Sequence, residues 1–156
     1  MNKKLSLIAF ALMVNFQVQS QVNFPAGTFE RSGANGVSGW ITAFPESDST
    51  VLLYIELTRG APSYNSGSIY TRINLTDSEI TLRSIDIDLK CEIELVIKKD
   101  LVVLNTLNND CGFGHGVVSD GAFKKTSSKT LQYFINGEGL KVYFAKTSPE
   151  KYAELL

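Results

Sequence analysis

Few residues in this chain are suited to chemistry. His115 is its one histidine, and Cys91 and Cys111 are its two cysteines. Nucleophilic catalysis needs a serine, threonine or cysteine beside a base. His115 lies in Cys111-Gly112-Phe113-Gly114-His115-Gly116-Val117, where the glycines suit a tight loop and not a phosphate-binding turn, because the spacing is wrong and no helix follows. One histidine and two cysteines are also too few for a zinc or iron centre, and no D-x-D-x-D-G calcium loop is present. Neither metal nor cofactor is expected. Asp86, Asp88, Glu92 and Glu94 form a carboxylate ladder that could do acid–base work on a glycoside if one member were desolvated. They alternate with apolar residues, so the reading is a solvated outer face, with a cationic partner or a weak divalent ion as the functional alternatives. The chain is therefore expected not to be an enzyme; a hydrolase using the ladder is the rival.

The cysteines take their meaning from the N-terminus. Lys3 and Lys4 precede an apolar stretch from Leu5 to Phe16, and Val18-Gln19-Ser20 offers a cleavage site. That stretch is too short to span a bilayer and reads as a secretory signal over residues 1–20, which gives a periplasmic or secreted protein without a stable membrane anchor. In such a compartment Cys91 and Cys111 most simply form one disulfide. With Lys3 and Lys4 gone, 13 basic residues remain against 16 acidic ones, a net charge of −3. A balance of that sign makes nucleic acid an unsuitable partner.

Some element must position these groups, and the pattern is β. Ile85, Ile87, Leu89, Cys91, Ile93, Leu95 and Ile97 alternate with mostly charged residues, a period of two that predicts one long bulged strand or two strands joined at a bend. Val51 to Thr58 and Ile69 to Leu75 alternate similarly, and Leu101 to Leu107 is a further apolar run. Shorter strands are expected over Thr28 to Arg31, Gly39 to Phe44 and Glu79 to Arg83. Asp120-Gly121 and Asn136-Gly137 read as tight hairpin turns supplying positive φ. Ser148 and Pro149 start a short C-terminal helix. Residues 21–156 are thus expected to form a single all-β domain, a small antiparallel barrel of 8–10 strands with one disulfide. Trp40, Phe44, Tyr54, Tyr64 and Tyr70 are expected mostly to fill or rim the barrel, with a recognition surface as the alternative. Asn74-Leu75-Thr76 is a glycosylation sequon, relevant only in a eukaryotic source.

Gly60-Ala61-Pro62-Ser63-Tyr64-Asn65-Ser66-Gly67 followed by a strand, and Cys91-Glu92-Ile93-Glu94-Leu95 followed by a strand, Cys111-Gly112-Phe113-Gly114 and Asp120-Gly121, resemble a small family of exported bacterial β-barrels. That family is similar in size, export and single disulfide to the periplasmic lysozyme-inhibitor-like domains. The resemblance implies a non-enzymatic binding module, of inhibitor or immunity type, acting on a partner protein. Ser66-Gly67-Ser68-Ile69-Tyr70 has the residue types of the loop such inhibitors insert into an enzyme's cleft. It runs one residue longer than Ser-Gly-x-Tyr, which moves Tyr70 to the other side of a strand relative to Ser66. Ser66, Tyr70, Phe113 and His115 are the candidate binding residues, with Phe113 either plugging the barrel end or anchoring a partner. The acidic strand suits a basic partner. A carrier of small apolar ligands and a structural envelope component are the alternatives, and oligomeric state is open.

Overall fold

The computed structural model describes residues 24–76, 80–83, 90–109 and 111–156. The proposed signal, residues 1–20, and the Ile85–Leu89 half of the long alternation, with Asp86 and Asp88, lie outside the described residues.

Eight strands form one antiparallel sheet: β1 (Gly27–Ser32), β2 (Ser38–Pro45), β3 (Thr50–Thr58), β4 (Ser66–Asn74), β5 (Ile80–Arg83), β6 (Cys91–Lys98), β7 (Leu101–Asn109) and β8 (Gly121–Ser127). Their order is β4-β3-β2-β1-β8-β7-β6-β5, so the first and last strands pair, and the sheet's two edges are the consecutive strands β4 and β5. These edges touch without a hydrogen-bonded ladder, which gives a nearly closed barrel. Period two puts one residue phase of each strand inside. Phe29, Ile41, Leu53, Ile55, Leu57, Ile93, Leu104 and Phe123 are all 0–1% exposed and fill the interior. Cys91 lies on the same inward phase and is bridged to Cys111. The β6–β7 ladder shifts register between Glu92 and Ile93.

The outer face carries a second core. Two strands, β9 (Tyr133–Ile135) and β10 (Lys141–Tyr143), form a hairpin, and a five-residue helix α1 (Pro149–Ala153) follows. Ser148 caps that helix, its hydroxyl accepting from the Lys151 N–H at 3.3 Å, with Pro149 in the first turn. Hairpin and helix close over Leu52, Tyr54 and Tyr70 with Phe134, Val142, Phe144 and Tyr152. Tyr54 and Phe134 stack at 3.8 Å, Phe44 stacks on Phe144 at 5.2 Å, and the Tyr54 hydroxyl donates to Glu56 at 2.8 Å. Burial pushes the Tyr54 and Tyr70 hydroxyls well above the ordinary tyrosine range. Sequence patterning placed these aromatics in or around the barrel; Phe44, Tyr54 and Tyr70 instead occupy the outward phase and are covered from outside. Trp40 is half-buried on that outer face, and Tyr64 is an exposed loop residue.

Two expected turns are also corrected. Asp120-Gly121 is no hairpin turn: Gly121 opens β8 at the end of an eleven-residue connection from β7. In the β9–β10 turn the positive φ belongs to Gly139 (82°), not to Asn136-Gly137. Asn136 shapes that turn with its side chain, Oδ1 accepting from the Glu138 and Leu140 N–H groups while Nδ2 donates to the Tyr152 hydroxyl at 3.1 Å.

A charged clasp ties the second core to the barrel. Arg72 on β4 donates to Glu46 at 2.6 Å and to Glu150 of α1 at 3.1 Å. The Arg72 hydrogen bond holds the Glu46 carboxyl below its ordinary range, and Glu150 is lowered by the Ser148 hydroxyl and its own N–H, with Arg72 behind them. Both folded-state values are depressed. Their stabilisation is therefore present above the unfolded carboxylate pKa of about 4.3 and is lost as pH falls through the folded values. The partners are a third or more exposed, so the acid loss should stay within about 1 kcal/mol. Urea titrations at pH 7 and pH 3 on the parent and Arg72→Met should differ by that margin. Identical acid sensitivity in the two proteins would show the clasp to be inert.

Candidate functional site

The end of the barrel that carries the disulfide is built from three described connections: residues 33–37, 59–65 and 111–120. The third is the longest and is held along its length. Its start is fixed by the Cys91–Cys111 bond. Its end is fixed by Arg31, near the C-terminal end of strand β1, whose guanidinium donates to the carbonyls of Val118, Ser119 and Asp120 while standing 4.9 Å over the Phe123 ring. Burial pulls the Arg31 pKa below its ordinary value, and the Asp120 charge opposes that shift. The Asp120 carboxylate also accepts from the Thr106 N–H, and the Ser119 and Thr106 hydroxyls are bonded to each other.

The middle of the loop leans on the β3–β4 connection. Gly114 N–H donates to the Ser66 carbonyl at 3.1 Å, and the His115 carbonyl accepts from Asn65 at 2.7 Å and Arg59 at 3.3 Å. Phe113 lies half-buried against the barrel core and close against Gly67, where a Cβ would come within 2.5 Å of its ring. Gly67 is thus the seat of Phe113. Gly116 has a positive φ of 74°, and a side chain there would strike the Arg59 guanidinium at 2.7 Å. Gly114 has no left-handed φ; it is needed for its close approach to Ser66.

Of the four sequence-derived candidates, Ser66, Phe113 and His115 come together here and Tyr70 does not. Phe113 takes the inward position, whereas the His115 imidazole and the Ser66 hydroxyl are exposed and only their carbonyls are engaged. Tyr70 is 4% exposed, its ring within 6 Å of Phe134, Phe144 and Tyr152, and its hydroxyl donates to the Thr147 carbonyl at 2.8 Å. Ser66 and Tyr70 also share one face of β4, not opposite faces, because they lie four residues apart on a regular ladder paired with Thr58 and Tyr54. A partner reaching Ser66 therefore meets no Tyr70.

Beside these polar groups the loop end also shows apolar side chains to water. Tyr64 is 66% exposed, Leu107 59% and Val118 55%. Leu107, Asn108, Thr106, Val118 and Ser119 flank a depression of about 530 Å³. Sequence reasoning missed Arg31, Arg59 and Asn65. Arg31 acts on carbonyls 87 to 89 residues away, for which a single sequence holds no local signal.

Glu92 and Glu94 lie on the outer phase of β6, half-buried, and Glu94 accepts from Asn105 at 2.9 Å. Among the described residues no three His, Cys, Asp or Glu side chains are grouped to hold a metal ion.

Comparison with protein-family models, with curated proteins and with solved structures found no match to this chain. The reading of its role rests on its own residues.

Proposed function

We propose that the protein is an exported, non-enzymatic binding module of inhibitor or immunity type that grips a partner protein with its disulfide-tethered loop end. The carrying observation is a loop whose backbone is tied at its start, middle and end while Leu107, Val118 and Tyr64 beside it remain exposed. A preordered loop loses little conformational entropy on binding, and exposed apolar side chains around a shallow depression supply the buried area. The resemblance of its Cys–strand–Cys-Gly-Phe-Gly motif to exported domains of the lysozyme-inhibitor-like kind, read from the sequence, points the same way. So does the disulfide, which suits an oxidising compartment. Packing of the interior by Phe29, Ile41, Leu53 and Phe123 favours use of the outer surface over carriage of a ligand inside. A net charge of −3 after removal of residues 1–20 favours a basic partner, whose association would slow with added salt.

The test is affinity capture from the source's own periplasm and secretions, with the parent and a Val118→Asp, Tyr64→Ser variant as baits. A protein retained by the parent at low salt and lost by the variant, with both baits equally stable, is the expected result. Retention of lipids or small molecules alone would replace this reading with the carrier.

Phe113→Ala separates support from contact in the same experiment. The ring is only partly buried, so its loss should cost about 1–2 kcal/mol in urea unfolding, less than a fully buried phenylalanine. Capture should weaken with it, because the loop loses its seat on Gly67. Unchanged stability combined with abolished capture would make Phe113 a direct anchor.

A further inference from the structure

We infer that the groove between β9 and the outer face of β1 and β2 is a docking site for an extended peptide segment of a partner protein, taken up as a third strand on β9. The hydrogen-bond phase of the hairpin carries the inference. Phe144 N–H donates to the Gln132 carbonyl at 3.1 Å and Asn136 N–H to the Leu140 carbonyl at 3.0 Å. Antiparallel pairs alternate, so Phe134 and Val142 form the bonded pair between them, and Tyr133 and Ile135 aim their N–H and C=O groups away from β10. β9 has β10 as its sole partner in that sheet, so this edge is unpaired by any described strand.

The edge opens onto a groove of about 620 Å³. Tyr133, Phe134 and Ile135 all line it, and consecutive residues of opposite side-chain phase share a groove when it runs along the strand's edge. The facing wall is the barrel's outer surface, with Thr28, Trp40 and Thr42. Natural sheet edges are commonly blunted by Lys or Pro. Residues 131–136, Leu-Gln-Tyr-Phe-Ile-Asn, hold neither, and Leu131, Tyr133 and Ile135 are 37%, 39% and 55% exposed. An aromatic groove alone would accept many ligands; a row of free backbone donors and acceptors beside it is what an extended peptide uses.

The register dictates the guest. Its residue opposite Phe134 shares that residue's phase and faces the barrel over Trp40, so it should be apolar or aromatic. Its neighbours, opposite Tyr133 and Ile135, make the main-chain bonds and point outward, so neither can be proline.

The test titrates the isotope-labelled full chain with the synthetic heptapeptide acetyl-Lys-Thr-Val-Phe-Val-Thr-Lys-amide. Expected are shifts and about tenfold slower hydrogen exchange at the Tyr133 and Ile135 amides. N-methylation of both valines should weaken binding about tenfold, whereas N-methylation of the phenylalanine, whose N–H faces away from β9, should leave it nearly unchanged. Ile135→Pro removes a groove-facing donor without touching a β9–β10 bond and should match the valine-methylated loss; Ile135→Val should bind like the parent. Should the proline disturb the hairpin, Trp40→Ser on the barrel wall and the methylated peptides still decide. No binding at about 1 mM peptide, equal affinity of the methylated peptides, or shifts confined to residues 111–120 would overturn the inference. So would peptide-free protection of the two amides that grows with protein concentration, which would make a second copy the occupant.

Discussion

Phe134→Ala should lower stability by about 3–5 kcal/mol, the range for emptying a fully buried aromatic site. Phe134 is the hub of the second core: its ring lies 3.8 Å from Tyr54, 4.9 Å from Tyr70, 5.3 Å from Phe144 and 5.7 Å from Tyr152. Removing it unstacks the ring that covers Tyr54 and loosens hairpin and helix together. The interior of the barrel contains none of these residues. Far-ultraviolet circular dichroism should therefore keep its strand signal at moderate urea while the near-ultraviolet tyrosine signal is lost first. A loss below about 1 kcal/mol, with both signals falling together, would show that the second core contributes little to stability.

Replacing Cys91 and Cys111 together by alanine is the second large effect. The bond spans a sequence separation of 20 residues, and releasing a loop of that size should lower stability by about 3 kcal/mol, on the order of 10 °C in Tm. The loss should be unevenly felt along the loop. Residues 112–117 depend on the disulfide and on the Asn65 and Gly114 contacts, whereas 118–120 are gripped by Arg31. Hydrogen exchange should accelerate in the first segment and stay slow in the second. Uniform acceleration from 112 to 120 would mean that the Arg31 grip depends on the disulfide and is not an independent anchor.

The barrel was legible because a half-buried strand writes its burial into alternate positions, as Val51, Leu53, Ile55 and Leu57 do. The disulfide was legible from the cysteine count together with the compartment expected from the N-terminal residues. The second core was not recognised, although a trace of it was present. Val51-Leu52-Leu53-Tyr54-Ile55 is apolar on both phases, the mark of a strand covered on both faces, and Phe44 and Tyr70 repeat the outward phase on neighbouring strands. Reading those aromatics as barrel filling assigned the right burial to the wrong side of the sheet. At the loop end, Phe113 could be singled out from its flanking glycines, but Gly67 as its seat and Arg31 as the loop's clamp depend on strand register that a single sequence does not reveal. Tyr70 was attractive by residue type and misplaced by the resemblance to a cleft-entering loop.

The pairing of β1 with β8 has a consequence in time. Every other ladder of the barrel joins strands adjacent in the chain, so each can form as soon as its second strand exists. β1 alone must wait: Thr28 pairs with Ser127, 99 residues later. At a synthesis rate of roughly 5–20 residues per second, that interval is about 5–20 s. Until then β1 to β4 can form no more than an open sheet with β1 unpaired at its edge. The β1–β8 ladder is thus the last of the barrel's ladders that the growing chain can complete, with only β9, β10 and α1 still to be added after it, and a chain kept from completing it early stays threadable through a narrow pore.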